Sequence, residues 1–278
     1  MENSKIGWTH HTWNPWMGCH KVSPACKFCY IETVIKRMGK IPFQGPMATT
    51  TSWENPSRWN RRAAQQGHRS RVFTCSLSDF FHEGADAWRD EAWAVIRECR
   101  NLDWMILTKR PELIANRLPA DWGDGYPNVW LGVTVENRNY VHRLDTVLEI
   151  PAVLYWVSAE PLLGQLDLRP YFPRGLSWVI TGCEQAHKDK RRRMDWNWVR
   201  DLEEQSREAG AAFFHKQYYV GNQIVTDGLL DGRVCQEWPL PKRPLNGLAR
   251  HIGRYAADDH AIAIPAIAGH AGQMTVAT

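Results

Sequence analysis

The feature that most constrains this chain is a loop that carries three of its seven cysteines, Cys19, Cys26 and Cys29, spaced C-x6-C-x2-C. Several thiolates in one short loop are typical of a soft metal centre, because one ordered segment then supplies several ligands. An aromatic, partly extended segment precedes the loop. A helical pattern of apolar residues follows it and ends at Gly39, a good helix C-cap. The chain therefore begins with a strand, a cysteine loop over 18–30 and an amphipathic helix.

The cysteine spacing alone leaves three kinds of site open. A tetrahedral zinc ion takes four ligands, so His20 or a distant cysteine would complete the set. A [4Fe–4S] cluster on three cysteines leaves one iron open for a small ligand. A disulfide is the third, but an odd number of cysteines and the lack of a secretion-signal pattern over 1–16 favour a reducing compartment. We therefore expect a cytoplasmic protein with a metal centre.

Composition argues against a membrane protein and allows an anionic partner. Of the 278 residues, 44% are apolar, which is enough for a sizeable core, and no apolar run reaches the length needed to cross a bilayer. The net charge of +4 is mildly basic. The chain has 15 tryptophans against eight tyrosines and eight phenylalanines, and we expect most of the indoles to lie in the core.

From residue 72 onward, short apolar segments alternate with helical patterns. With the segment before the cysteines they make about seven strands, the others being 72–76, 104–107, 129–135, 153–157, 178–180 and 212–214. One predicted helix begins near Pro111 and another is capped by Asp195. Nearly continuous apolar strands separated by helices indicate a parallel sheet covered on both faces. This predicts an α/β fold, a TIM-like partial (β/α) barrel of about six to seven parallel strands, with an open doubly wound sheet as the alternative.

Polar residues recur just past the predicted strands. In a barrel, such positions ring one mouth, where the chemistry takes place. They are Ser76 and Asp79, Thr108 and Lys109, Thr134 and Glu136, Ser158 and Glu160, Thr181 and Glu184, and His215 and Lys216. We therefore assign 1–218 to the barrel and 219–278 to a C-terminal extension that is partly irregular.

The order of strand, three-cysteine loop and β/α units resembles the radical S-adenosylmethionine (SAM) superfamily, as does Phe28 just before the third cysteine. Over about 8–218, three further features are similar to a phage-associated family within it: Thr12-Trp13-Asn14-Pro15 with Gly18-Cys19, the segment from Ser158 to Gly164, and Lys216-Gln217. The superfamily's usual spacing is C-x3-C-x2-C. Its usual Gly-Gly-Glu segment is replaced here by Ser76-Leu77-Ser78-Asp79.

The resemblance implies a [4Fe–4S] cluster on Cys19, Cys26 and Cys29, with SAM on the open iron. Reductive cleavage of SAM would give methionine and a 5′-deoxyadenosyl radical that takes a hydrogen atom from the substrate. The electron would come from a partner such as flavodoxin or ferredoxin. The implied cofactor contacts are Ser76 and Asp79 at the methionine end, Thr134 and Glu136 at the ribose, and Ser158 and Glu160 on the next strand.

Two features bear on the substrate. Cys183 follows a predicted strand at the mouth and is a candidate hydrogen donor to a substrate radical. The alternative is that it is a passive residue with no part in the reaction. A basic run comes next, made of Lys188, Lys190, Arg191, Arg192 and Arg193. At the mouth this run would bind phosphate groups, so the substrate would be phosphate-bearing or a nucleic acid; otherwise it is a solvated loop.

The sequence therefore predicts a radical SAM enzyme. One alternative is a zinc-stabilised, nucleic-acid-binding protein without catalysis. Another is a barrel hydrolase that uses zinc and the carboxylates of the mouth, but the sequence contains no His-rich metal motif to support it.

Overall fold

The computed structural model describes residues 1–49, 52–186 and 189–240. Lys188 and the segment 250–278, which the sequence predicts to be a poorly ordered tail, lie outside these residues. The helices in the described part are α1 Ile31–Arg37, α2 Asn55–Gln66, α3 Asp86–Glu98, α4 His142–Val147 and α5 Trp196–Glu208. The strands are β1 His11–Trp13, β2 Trp16–Met17, β3 Met47–Ala48, β4 Ser70–Thr74, β5 Leu102–Thr108, β6 Val129–Thr134, β7 Tyr155–Ala159, β8 Leu176–Gly182, β9 Ala212–Val220, β10 Gln223–Val225, β11 Leu229–Leu230 and β12 Arg233–Val234.

Eight strands form one sheet in the order β1-β4-β5-β6-β7-β8-β9-β10. The first seven are parallel to their neighbours, and β10 is antiparallel to β9. The spatial order follows the chain order, as in a barrel, whereas a doubly wound sheet reverses direction at a switch point. In the described part of the chain, β1 and β10 are the two end strands of the sheet and do not pair with each other, so the barrel is incomplete. The predicted partial (β/α) barrel with about seven parallel strands is confirmed.

Alternate residues of the strands pack into two separate apolar clusters. One cluster joins the sheet to α3, α4 and α5 and contains most of the buried apolar residues. The other contains no helix residue and fills the concave side, with Trp8, Trp130, Trp156 and Trp178 at its centre. Gly132 makes room for it, because a Cβ there would lie 2.3 Å from the ring of Trp156. Most tryptophans are core residues, as predicted. Four fill the barrel interior, and six lie in the helix-side cluster: Trp13, Trp16, Trp59, Trp93, Trp104 and Trp122.

Several local predictions can be compared directly with the structure. Asp195 caps α5 by accepting a hydrogen bond from the N–H of Asn197, and Gly39 follows α1 with a φ of +70°. The helix predicted near Pro111 is wrong, since two short 3-10 turns stand there. Pro119 explains this, because it forces the preceding residue out of the helical region only a few residues later. Among the described residues, no helix is long and apolar enough to cross a bilayer.

β9 continues two residues past the predicted boundary at 218 and pairs with β10. Two short strands, β11 and β12, form a hairpin beyond it. The irregular extension therefore begins with sheet structure that is continuous with the barrel. Its separation from the barrel as 219–278 stays a prediction.

Candidate cluster and cofactor site

The cysteine loop lies across the carboxyl ends of the parallel strands. It begins at Gly18, whose N–H donates to the carbonyl of Leu77 (2.8 Å) and whose carbonyl accepts from the hydroxyl of Ser78 (2.5 Å). Gly18 has a φ of +98°, and a Cβ there would lie 2.3 Å from the carbonyl oxygen of Gly45. A side chain is therefore excluded just before the first cysteine.

Asn14 joins β1 to the segment that follows β4. Its Nδ2 donates to the hydroxyl of Ser76 (2.9 Å), and its Oδ1 accepts from the N–H of Leu77 (2.7 Å). From the far end of the loop, the hydroxyl of Tyr30 donates to the carbonyl of Ser76. The motif around Asn14 thus holds the segment in which the sequence places methionine-end contacts.

The first of three arginine–carboxylate pairs holds the start of the cysteine loop. Arg110, buried just past β5, donates through Nη1 to Asp79 (3.2 Å) and to Cys19 Sγ (3.5 Å), and through Nη2 to the carbonyl of His20 (2.9 Å). Asp79 also accepts from the hydroxyl of Thr108 (2.8 Å) and the N–H of Lys109 (3.1 Å). Asp79 is therefore engaged with the chain itself.

The second pair holds the middle of the loop. Glu136, past β6, is fully buried and accepts from Arg143 Nη1 (2.9 Å) and from the N–H of Ala25 (3.4 Å). Arg143 comes from α4 and also donates to the carbonyl of Thr134 (2.8 Å). A buried carboxylate thus connects the loop to the ends of β6 and α4.

The third pair lies past β8. The carboxylate of Glu184 accepts from the backbone N–H (2.9 Å) and from Nε (3.1 Å) of Arg192. Nη2 of Arg192 donates to the carbonyl of Pro24 (2.9 Å), and the guanidinium lies 5.7 Å from the ring centre of Phe28. The three pairs together fix the loop over the ends of β4, β5, β6 and β8.

Positive charge surrounds the three thiols. Burial, followed by the charge of Asp79, raises the pKa of Cys19 to about 11, and the Arg110 guanidinium opposes this shift. Burial also raises the pKa of Cys29, against the charge of Lys109. Burial alone would raise the pKa of Cys26 too, but Lys109 and nearby backbone N–H groups lower it overall. The cations favour thiolates, the form in which cysteine binds metals.

The predicted cofactor contacts differ in what their side chains already touch. Thr134 and Ser158 are register partners on β6 and β7, and alternation places them on the concave face with Trp130 and Trp156. The Thr134 hydroxyl is buried and has no hydrogen-bond partner among the described residues. By contrast, Ser76, Asp79 and Glu136 are bonded within the chain as described, and Glu160 accepts from Lys216. As cofactor contacts, all six stay predictions.

A cavity of about 730 Å³ lies between the ends of β8 and β9 and the start of α5, and its wall includes Cys183. Burial, followed by the charge of Glu160, raises the pKa of Cys183 to about 12, so the thiol keeps its proton at neutral pH. Aromatic and basic side chains form much of the remaining wall: Arg191, Arg192, Arg193, Trp196, Trp198, Arg200, Tyr218 and Tyr219. The predicted hydrogen donor and most of the predicted basic run therefore border one space.

The members of the basic run are not equally available. The guanidinium of Arg192 is already hydrogen-bonded to the Glu184 carboxylate and to the carbonyl of Pro24. Arg191 lies 3.8 Å over the ring of Tyr219 and donates to the carbonyl of Gly221 (2.7 Å). Lys190 and Arg193 are exposed. Phosphate binding by the run stays a prediction, and Arg193 is its most accessible member on the cavity wall.

Sequence reasoning misses the residues that hold the loop, above all Asn14, Arg110 and Arg143. Asn14 belongs to a motif that the sequence singles out, but its partners lie 62 and 63 residues away. Arg110 directly follows Lys109, for which the sequence predicts a place at the mouth, and this position past β5 is a signal that could identify it. Arg143 lies within an ordinary helical pattern that gives no such signal.

Comparison with known proteins agrees with this architecture. One solved structure, a spore photoproduct lyase variant with dinucleoside spore photoproduct, has a TM-score of 0.51 and 13% identity over 76% of this chain and 78% of that chain. Another, spore photoproduct lyase complexed with dinucleoside spore photoproduct, has a TM-score of 0.49 and 14% identity over the same shares. At such identity the likeness concerns the fold alone, which the chain shares with the first of these structures.

No curated protein matches the chain in sequence. A family model does match, over residues 3–239, and its description is "Protein of unknown function (DUF5131)". The match does not bear on the phage association, which stays a prediction. Because the matched residues make up most of the chain, the protein belongs to the DUF5131 family.

Proposed function

We propose that this protein is a radical SAM enzyme whose cluster is held by Cys19, Cys26 and Cys29. The observation that carries the proposal is the position of the three thiols, in a loop anchored across the carboxyl ends of an incomplete parallel barrel. When bound and reduced, such a cluster supplies the electron that cleaves SAM to methionine and a 5′-deoxyadenosyl radical. The electron would reach the site from a donor such as flavodoxin or ferredoxin.

The spacing of the three thiols favours a multi-iron cluster over one zinc ion held by them. Zn–S bonds of about 2.3 Å hold sulfurs on one tetrahedral zinc roughly 4 Å apart. In the described part of the chain, the ligand atoms that all lie within 4.8 Å of one another belong to His20, His82 and Glu83, and the three thiols form no such group. His20 is the nearby residue that could complete a zinc site with the cysteines. Its Nδ1 lies 2.8 Å from Nε2 of His82, so this nitrogen is hydrogen-bonded to another imidazole and not directed at the thiols.

The chain's own residues give the site three properties. The tryptophans of the concave cluster exclude water from the barrel interior. Thr134 and Ser158 stand side by side on that face, and we assign them to hydroxyl groups of SAM, because the Thr134 hydroxyl needs a partner. The three arginine–carboxylate pairs keep the loop in one position while a ligand occupies the open iron.

The first experiment tests whether the loaded protein cleaves SAM. Anaerobically purified protein, reduced with dithionite and given SAM, should release 5′-deoxyadenosine, measured by chromatography and mass spectrometry. Cys26→Ala should release none. Cys183→Ala should still release it, because a hydrogen donor to the substrate acts after cleavage. A wild-type protein with a full cluster and no 5′-deoxyadenosine would refute the proposed activity.

For the substrate, we propose a phosphate-bearing molecule that enters the cavity beside Cys183. The walls combine aromatic rings, which stack on nucleobases, with guanidinium groups, which pair with phosphate. Cys183 would pass the hydrogen atom of its thiol to a substrate radical. The resulting thiyl radical would be returned to the thiol by one electron from the external donor and one proton from water. A protonated thiol, as burial maintains here, is the form that this step requires.

Salt dependence tests the phosphate contacts. Replacing Arg191 and Arg193 by alanine should flatten the slope of log affinity against log salt for a single-stranded oligonucleotide. The change should be about 0.7 if Arg193 alone contacts phosphate and about 1.4 if Arg191 leaves Tyr219 and Gly221 to do so. The measurement is a fluorescence anisotropy titration at several salt concentrations. Arg97→Ala/Arg174→Ala, which removes two exposed arginines paired with carboxylates elsewhere, should leave the slope unchanged.

Two other results would change this conclusion in different ways. Equal slopes for the wild type and the cavity variant would exclude the phosphate contacts for this ligand. Binding of a mononucleotide but not of the oligonucleotide would instead indicate a small phosphate-bearing substrate.

A further inference from the structure

Arg110 places a permanent positive charge on a sulfur of the cysteine loop. Its Nη1 lies 3.5 Å from Cys19 Sγ and 3.2 Å from the Asp79 carboxylate, so one amino group contacts both. The side chain is 6% exposed, and that of Asp79 is equally buried. Arginine does not lose its proton in proteins, so this charge persists at any pH at which the protein is folded.

Asp79 determines where the guanidinium points. Its two oxygens accept from the Thr108 hydroxyl, the Lys109 N–H and the Phe81 N–H as well as from Arg110. Because these hydrogen bonds hold the carboxylate in place, the guanidinium group of Arg110 can pair with it in only a few orientations. The second amino group is fixed independently by the carbonyl of His20. The contact with Cys19 is therefore built into the fold from two directions.

Hydrogen bonds and positive charge at the ligand sulfurs favour the reduced form of an iron–sulfur cluster, because reduction adds negative charge to it. Burial strengthens this effect, since little water lies near the charge to screen it. The negative charge of Asp79 opposes that of Arg110 at Cys19. Arg110 in addition directs an N–H at the sulfur, which a carboxylate cannot do.

We propose that Arg110 raises the reduction potential of the cluster held by Cys19, Cys26 and Cys29, with Asp79 as its positioning residue. This inference rests on the proposed function and adds a role for two residues of the chain. It gives Asp79, which the sequence assigns to the methionine end of SAM, a task that its contacts explain. Arg110 then makes a strongly reducing cluster easier for the electron donor to reduce.

Arg192 supplies a matched control. Like Arg110, it pairs with a buried carboxylate and donates to a carbonyl of the cysteine loop, at Pro24. It differs in contacting the ring of Phe28 and not a cysteine sulfur. Removing Arg192 therefore loosens the loop without removing an N–H from a ligand.

The experiment is a redox titration of each loaded variant under anaerobic conditions, with the reduced cluster followed by electron paramagnetic resonance. At a fixed applied potential, Arg110→Met should lower the ratio of reduced to oxidised cluster at least tenfold, a shift of about 59 mV to more negative values for a one-electron couple. Arg110→Lys, which keeps the charge but not the fork, should shift it less in the same direction. Asp79→Asn keeps an oxygen acceptor for Arg110 and removes the opposing negative charge, so it should shift the potential in the other direction if the guanidinium stays directed at Cys19. A shift in the direction of Arg110→Met would show that the carboxylate charge is needed to hold it there.

Iron and sulfide content separates the possible failures. If Arg110→Met and Arg110→Lys both hold a full cluster and titrate as the wild type does, the inference is wrong and the proposed function stands. Equal shifts in Arg110→Met and Arg192→Met would assign the effect to loop anchoring and would also overturn it. A wild-type protein that holds no cluster would overturn the proposed function, and the inference with it.

Discussion

Alanine at Cys19, Cys26 or Cys29 is expected to abolish iron binding, one cysteine at a time. Each thiolate binds one of the four irons of the proposed cluster, so the three cysteines leave a single iron open for SAM. Loss of one leaves a second iron without a protein ligand, so the loop cannot retain the cluster. Iron and acid-labile sulfide, measured after anaerobic reconstitution and desalting, should fall from about four of each per chain to near zero.

The control for this experiment is Cys99→Ala. Cys99 is buried at the end of α3 and packs in the helix-side core, so its loss should leave the iron content unchanged. Measuring zinc in the same samples tests the alternative. Stoichiometric zinc and little iron in the wild type would favour the zinc-stabilised protein. Full iron content in all three single variants would show that these cysteines are not the cluster ligands.

The sequence was sufficient for the parts of the structure that depend on local patterns. Buried strands show as short apolar runs, and six such runs with one aromatic segment correspond to the seven parallel strands. The cap at Asp195 and the glycine after α1 follow from side-chain and backbone chemistry within a few residues. The helix predicted near Pro111 fails because a second proline, Pro119, is too close for a helix to continue.

The candidate site was only partly predictable, because its contacts cross the chain. The positions of Asp79 and Glu136 past two strands predict that they lie near the ends of the strands, and their contacts past β5 and β6 agree with this. That they hold the cysteine loop depends on Arg110, which is 31 residues from Asp79, and on Ala25, which is 111 residues from Glu136. No periodicity or motif encodes such distances. Only the register of the sheet brings these groups together.

The burial of Glu136 leads to the second large effect, which concerns stability. Arg143→Met should lower the free energy of unfolding by about 3–5 kcal/mol, because it leaves a fully buried carboxylate without its cation. The N–H of Ala25 remains, but one hydrogen bond at 3.4 Å does not replace an ion pair. Urea denaturation followed by tryptophan fluorescence measures the loss.

Two further variants distinguish an uncompensated charge from a loss of packing. Arg174→Met removes an arginine whose partners, Asp145 and Glu149, are exposed, and it should cost no more than about 1 kcal/mol. Glu136→Gln/Arg143→Met removes both charges and should recover much of the stability lost in Arg143→Met, since the buried amide still accepts from Ala25. If the double variant were less stable than Arg143→Met, the cost would lie in the packing of α4 against β6. The double variant could also recover stability and retain iron. In that case, the side chain at position 136 would anchor the loop by its shape and its hydrogen bond, and its negative charge would not be required.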